Sequence, residues 1–209
     1  RSELSLWSDT VKKSPNKART YLARGMAYNN SGQPERAIGD YNRAIELQPN
    51  FVRAFNNRAV VYQLNGNMKK AIDDYDKVIS INPNFVTAYT NRGAAYYLLG
   101  ETEKALSDYA SALRIEPKYE TAYSNRAVLY NSLGKFNEAL SDVNQAIRLN
   151  PLNIVDYLTR ARIYHALKKD EQSLSDIRWV RKKVGEQKLP ADIEDLETTL
   201  SSLAGKNKD

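Results

Sequence analysis

The sequence predicts an all-α fold, an α-solenoid of helical hairpins, and three observations predict it. Pro15, Pro49, Pro83, Pro117 and Pro151 stand 34 residues apart. Units of that length, beginning three residues after each proline, carry large and small apolar residues at matching offsets. Gly32, Gly66, Gly100 and Gly134 recur in mid-unit. A fixed period of this size marks a repeat architecture, in which each unit packs on its neighbours and not around one central core.

The repeats are expected at 18–51, 52–85, 86–119, 120–153 and 154–187. Position 4 reads Tyr21, Phe55, Tyr89, Tyr123 and Tyr157, and position 8 reads Gly25, Ala59, Gly93, Ala127 and Ala161. Position 11 is tyrosine throughout: Tyr28, Tyr62, Tyr96, Tyr130 and Tyr164. Spacings of i, i+4 and i+7 put these three on one face of a first helix. Positions 20, 24 and 27 repeat the pattern on a second helix. Position 20 is Ala37, Ala71, Ala105, Ala139 and Ser173; position 24 is Tyr41, Tyr75, Tyr109, Val143 and Ile177. Small residues at 8 and 20 let the two helices approach, and large ones fill the gaps. The glycines fall where a left-handed turn residue is wanted. The prolines end the second helix.

Both ends read as partial repeats. Residues 1–17 are expected to hold one helix, Glu3 to Lys13, in second-helix register, with Trp7 and Val11 facing inward. Residues 188–209 are expected to hold a capping helix that starts at Pro190 and buries Ile193, Leu196, Leu200 and Leu203, with a frayed tail after Gly205. Repeat arrays need such caps with a polar outer face.

Composition narrows the function classes. The chain has 209 residues and no cysteine, which rules out disulfides and thiolate metal sites. No apolar run approaches the roughly 20 residues of a membrane span. With 27% charged residues the chain is expected to be soluble and not to insert into membranes. It begins at Arg1 without a methionine and is expected to be part of a longer product. Neither a phosphate-binding loop, nor a dinucleotide fingerprint, nor a nucleophile elbow is present. His165 is the single histidine, too little for a metal centre. No enzyme activity, catalytic residue, metal or cofactor is therefore expected.

These residues resemble the tetratricopeptide repeat family in period and in the small/large pattern, over about 170 of the 209 residues. The resemblance implies a right-handed superhelix of five helical hairpins, an N-terminal half-repeat and a C-terminal capping helix. It also implies a concave groove lined by the first helices.

Three repeating features bear on function. Twelve of the fourteen tyrosines fall at positions 4, 11 or 24 and are expected to be core; Tyr97 and Tyr119 escape the pattern. Position 7 is always arginine (Arg24, Arg58, Arg92, Arg126, Arg160) and position 23 always aspartate (Asp40, Asp74, Asp108, Asp142, Asp176). Matched ladders point to repeated ion pairs, with each arginine stem packed among tyrosines, and not to a polyanion site. The spacing leaves open whether each pair forms within a unit or between neighbours. No nucleic-acid partner is expected, and the basic run Arg178, Arg181, Lys182 and Lys183 reads as a solvated face.

Position 6 carries the functional hint. Asn57, Asn91 and Asn125 recur one place from the arginines, off the core face, while Ala23 and Thr159 break the row. A carboxamide both donates and accepts, so a row of them can hold the main chain of an extended peptide. The row is similar to the asparagine ladder in the superhelical repeats of O-linked N-acetylglucosamine transferases. The groove is expected to add Asn56, Thr90, Tyr97, Ser124, Val128 and Asn131 to the peptide-binding set. Arg19, Arg53 and Met26 would lie at one end, and Leu158, Arg162 and His165 at the other. Repeats of this family that clamp acidic chaperone tails need cations at positions 2, 5 and 6. Thr87, Thr90 and Asn91, and again Thr121, Ser124 and Asn125, lack them.

The expected function is a protein-interaction scaffold that binds an extended peptide in its groove with near-micromolar affinity, at roughly 0.5–1.5 kcal/mol per hydrogen bond. The alternative is a regulatory or substrate-presenting domain of a larger enzyme. The segment Leu6 to Pro15 resembles the junction ahead of the repeats in membrane-embedded glycosyltransferases. Partner identity, compartment and oligomeric state are not encoded in any recognisable motif.

Overall fold

The computed structural model describes residues 3–185 and 187–206, with side chains described as far as residue 202. Among these residues there are twelve α-helices and no strand. They fall into two compact units, the first reaching Ile115 and the second starting at Glu116. The first unit holds α1 (Glu3–Lys13), α2 (Ala18–Asn30), α3 (Pro34–Leu47), α4 (Val52–Leu64), α5 (Met68–Ile81), α6 (Val86–Leu98) and α7 (Thr102–Ile115). The second holds α8 (Glu120–Ser132), α9 (Phe136–Leu149), α10 (Ile154–Ala166), α11 (Asp170–Val184) and α12 (Ala191–Lys206). Within each unit successive helices pack on one another, and α2, α4 and α6 also touch in sequence, as do α8 and α10.

The second helix of each pair buries one narrow stripe. Ala37, Tyr41 and Ala44 on α3 are at most 1% exposed, as are Ala71, Tyr75 and Val78 on α5, and Ala105, Tyr109 and Ala112 on α7. Ala139, Val143 and Ala146 on α9, and Ser173, Ile177 and Val180 on α11, are fully buried. Ser173 stands where the other repeats have alanine, and its hydroxyl donates to the Ala161 carbonyl, so its polar atom is satisfied. Close approach at position 8 is real. A Cβ added to Gly25 would lie 2.6 Å from the Tyr41 ring, and one added to Gly93 would lie 2.8 Å from the Tyr109 ring.

First helices bury more than the 4, 8, 11 pattern indicates. Ala27, Val61, Ala95, Leu129 and Ile163, at position 10, are at most 4% exposed. Position 11 is not core: Tyr28, Tyr62, Tyr96, Tyr130 and Tyr164 are half-buried. Each of these rings, with the ring at position 4, flanks the guanidinium of position 7 at 5.2–5.8 Å. The tyrosine expectation therefore holds fully for position 24 only. The first helix has neighbours on two sides, so its apolar arc is wider and shifted toward position 10.

The turns follow one scheme. The N–H at position 16 donates to the tyrosine carbonyl at position 11 (Gln33 to Tyr28, Asn67 to Tyr62, Glu101 to Tyr96, Lys135 to Tyr130, Lys169 to Tyr164). This six-to-one closure puts the residue between them at positive φ. Gly32, Gly66, Gly100 and Gly134 take it at +70° to +77°, and Lys168 takes it at +59° without being glycine.

At the ends, Val11 on α1 is buried and Trp7 half-buried. Ile193 and Leu200 on α12 are buried and Leu196 partly so. The Leu203 side chain, and residues 207–209 of the expected frayed tail, lie outside the described residues.

Candidate functional site

The arginine and aspartate ladders resolve into one construction. In each of the five helix pairs from α2/α3 to α10/α11 the position-7 Nε and a terminal nitrogen donate to the two carboxylate oxygens at position 23, at 2.6–2.9 Å. The pairs form within repeats. Three arginines reach further with Nη1, to the preceding repeat: Arg58 to Asn42, Arg92 to Asp76 and Arg160 to Asn144. The aspartates are 4–6% exposed. Burial pushes the Asp108 carboxyl up, while the hydrogen bonds from Arg92 hold it down. The hydrogen bond to Asp108 raises Arg92 in turn. These guanidiniums are structural ties between first and second helices, stacked between aromatic rings.

In the first unit, the face made by positions 2, 5, 6, 9, 12 and 13 of the first helices contains two clefts. One, of about 420 Å³, is lined by Arg19, Leu22, Ala23, Met26, Phe51 and Arg53. The other, of about 180 Å³, is lined by Met26, Asn29, Asn30, Tyr41, Asn57 and Val60. Met26 belongs to both and is 38% exposed. The Asn57 carboxamide therefore stands beside Met26 and Val60, one cleft away from two exposed guanidiniums.

The next rung is held from behind. The Tyr75 hydroxyl donates to Gln63 Oε1 at 3.0 Å and accepts from the Asn91 carboxamide. Burial raises this phenol, and the Asn91 hydrogen bond opposes the rise. Tyr41, the equivalent residue beside Asn57, is pushed up to about 12 by burial. Both phenols stay protonated and can anchor a carboxamide. Tyr97 on α6 is half-buried, close enough for its charge to raise Tyr109 further.

Several sequence expectations fail here for packing reasons. Thr90 is fully buried and its hydroxyl donates to the Val86 carbonyl, so it lies under the face and cannot meet a ligand. Asn56 points its amide toward Asn57 Oδ1 at 3.5 Å, and its own Oδ1 is enclosed without a partner. Leu158 is buried in a cluster with Leu189 and Ile193, and Arg162 is bonded to Asp192 of α12. The His165 ring contacts Asp170 at 2.9 Å. Helix α12 thus lies against this end of the face, where Arg162 and His165 still line a cleft of about 350 Å³ with Asp192, Asp195, Leu196 and Thr199.

In the second unit, Asn125, Val128 and Asn131 are half-buried on α8. Ser124 is committed: its hydroxyl bonds to Asp156 Oδ1 and, at 3.3 Å, to Glu120 Oε1. Asn153 Nδ2 donates to the same Glu120 oxygen at 2.6 Å. No sequence motif marks this group of Glu120, Ser124, Asn153 and Asp156. The one signal was an aspartate at position 3, where the other repeats have Thr20, Ala54, Ala88 and Ala122. Burial, opposed by the Ser124 bond and helped by the Glu120 charge, pushes Asp156 up to about 6.

Among the described residues, no group of three or more histidines and acids could hold a metal, and no helix is long and apolar enough to cross a membrane.

The tetratricopeptide repeat model matches residues 52–85, 86–119 and 121–153, and a related TPR repeat model matches residues 25–66. Comparison with curated proteins found no match. Among solved structures, one similar chain is in the APC/C hetero-tetramer Cut9-Hcn1, with a TM-score of 0.84 at 16% identity. The match covers 98% of this chain and only 40% of that one. A tetratricopeptide repeat protein from Parabacteroides merdae has a TM-score of 0.77 at 22% identity, over 98% of this chain and 80% of its own. YrrB, described as a TPR protein with an unusual peptide-binding site, has a TM-score of 0.65 at 18% identity, over 96% and 97%. At these identities the likeness speaks for the fold. With family models covering more than half of its length, this chain belongs to the tetratricopeptide repeat family.

Proposed function

We propose that this chain is a non-catalytic scaffold that binds an extended peptide segment of a partner protein across the first-helix face. Proteins of this family generally mediate protein–protein contacts, and YrrB is described as having a peptide-binding site. One observation supports the reading most. In the first unit, two clefts meet at Met26 beside the Asn57 carboxamide, and the Asn91 carboxamide bonds to the buried Tyr75 phenol. Asn57 and Asn91 would supply main-chain hydrogen bonds, and the clefts would take apolar side chains. Asn125, Val128 and Asn131 offer the same chemistry on the second unit. Thr90 drops out, Asn56 supports Asn57, and Ser124 serves the acidic group.

The test is a selection of phage-displayed peptides on the whole chain, followed by titration of the selected sequences. Asn57→Ala and Asn91→Ala are each expected to weaken binding by about two- to tenfold, the worth of one hydrogen bond. Their circular dichroism should match the parent. Equal affinity for parent and double variant would sink the reading.

A further inference from the structure

We propose that Glu120 and Asp156 form a subsite for a cationic side chain, a lysine or an arginine, of a peptide bound to the second unit. This deepens the peptide-binding reading and rests on it for the ligand being a peptide.

Position 3 sets the last of these helix pairs apart. The first four repeats put small uncharged residues there (Thr20, Ala54, Ala88, Ala122), all buried, so the packing asks only for small volume. The fifth has Asp156, 1% exposed, with Oδ2 lacking any hydrogen-bond partner. A buried carboxylate in that state is costly unless a counter-charge arrives. The chain itself shows what such an acid wants. Each of the five other buried aspartates holds a guanidinium through both oxygens. Asp156 instead faces a second acid, and neither Glu120 nor Asp156 is in a salt bridge among the described residues.

The surroundings suit a long cationic side chain. Ser124 and Asn153 direct their donors at the two carboxyls and fix them, while Glu120 is half-buried and so open on one edge. An incoming cation would meet Glu120 directly and neutralise Asp156 through the short gap between them. Leu152, just before Asn153, and Val155, two residues after it, are 70% and 61% exposed. Apolar surface of this kind receives the methylene stem of lysine or arginine while its head pairs with the acids. The elevated Asp156 carboxyl is what a carboxylate pair short of positive charge should show.

The experiment is an NMR titration of the whole chain with two peptides, acetyl-Gly-Gly-Arg-Gly-Gly-amide and the same peptide with citrulline for arginine. Citrulline keeps the shape and removes the charge. Side-chain carboxyl signals report on Glu120 and Asp156, and side-chain amide signals on Asn57 and Asn91. The arginine peptide should bind at least tenfold tighter and move both carboxyl signals, and Glu120→Gln should erase the preference. Equal binding of the two peptides with both carboxyls unmoved overturns the subsite, even if the Asn57 and Asn91 signals shift and so uphold the peptide face. Movement of the carboxyls alone, under the arginine peptide alone, upholds the subsite and counts against the asparagine face. If neither peptide moves any of the four signals, the subsite is overturned. The wild-type comparison needs no variant, so a folding defect in Glu120→Gln would not blur it.

Discussion

Position 3 of α6 in the first unit and of α10 in the second are the same place in the same repeat, yet one holds Ala88 and the other Asp156, both at most 1% exposed. The turn after α6 closes on Gly100 and the turn after α10 on Lys168, both at positive φ. Arg92 ties Asp108 and also Asp76, whereas Arg126 ties Asp142 through two bonds. The backbone plan tolerates these differences because it depends on volume and on turn geometry. What the plan tolerates is where individual chemistry can enter. The first unit is closer to the bare family pattern, and the second departs from it at an acid and a strained turn.

The largest expected effect tests what the units share. Arg92→Ala leaves Asp108 buried without its partner and should cost about 3–5 kcal/mol in urea unfolding of the whole chain. Arg126→Ala should cost about the same, less only the exposed Asp76 contact, which is worth up to about 1 kcal/mol. A much smaller loss for both would mean that neither the ion pair nor the stacked guanidinium holds the two helices together.

A middle-sized effect tests what they do not share. Asp156 has a carboxyl raised to about 6 against an ordinary value of 3.8. The stability of its protonated form is fully present below the ordinary value and is lost as pH rises through 6. Asp156→Asn cannot ionise and still accepts from Ser124. It should therefore match the parent near pH 4 and exceed it at pH 8, by about 1–3 kcal/mol. Thermal melts at the two pH values read this directly. A gain that is equal at both would place the cause in packing and not in charge.

The smallest effect concerns the turn. Lys168→Gly removes a left-handed lysine at the position where the other repeats have glycine, and should stabilise the chain by about 1 kcal/mol. A rise in the urea midpoint for Lys168→Gly, beside no rise for the exposed control Lys169→Gly, separates backbone strain from loss of charge.

Much of this architecture could be read from residues alone. Period, small/large alternation and mid-unit glycines are local requirements. Ala37 beside Tyr41 and Gly32 at a left-handed turn satisfy them one repeat at a time, and five copies repeat the message. The inner stripe of the second helices was legible for the same reason, since each faces one layer. First helices touch neighbours on two sides. Their true core position, 10, and the exposed edge of the position-11 tyrosines therefore emerged only from packing.

By itself the sequence determined the helical repeat, the turns and the matched arginine and aspartate ladders, because each is set by spacing along the chain. Tertiary structure decided which partners meet. It placed the ion pairs within repeats, put Thr90 under the face, laid α12 against Arg162, and brought Glu120 up to Asp156 across two first helices. Those outcomes depend on distances of a few ångströms between side chains on different helices. No periodicity encodes them, because a repeat fixes where each side chain leaves its own helix, while the neighbouring helix decides what it meets.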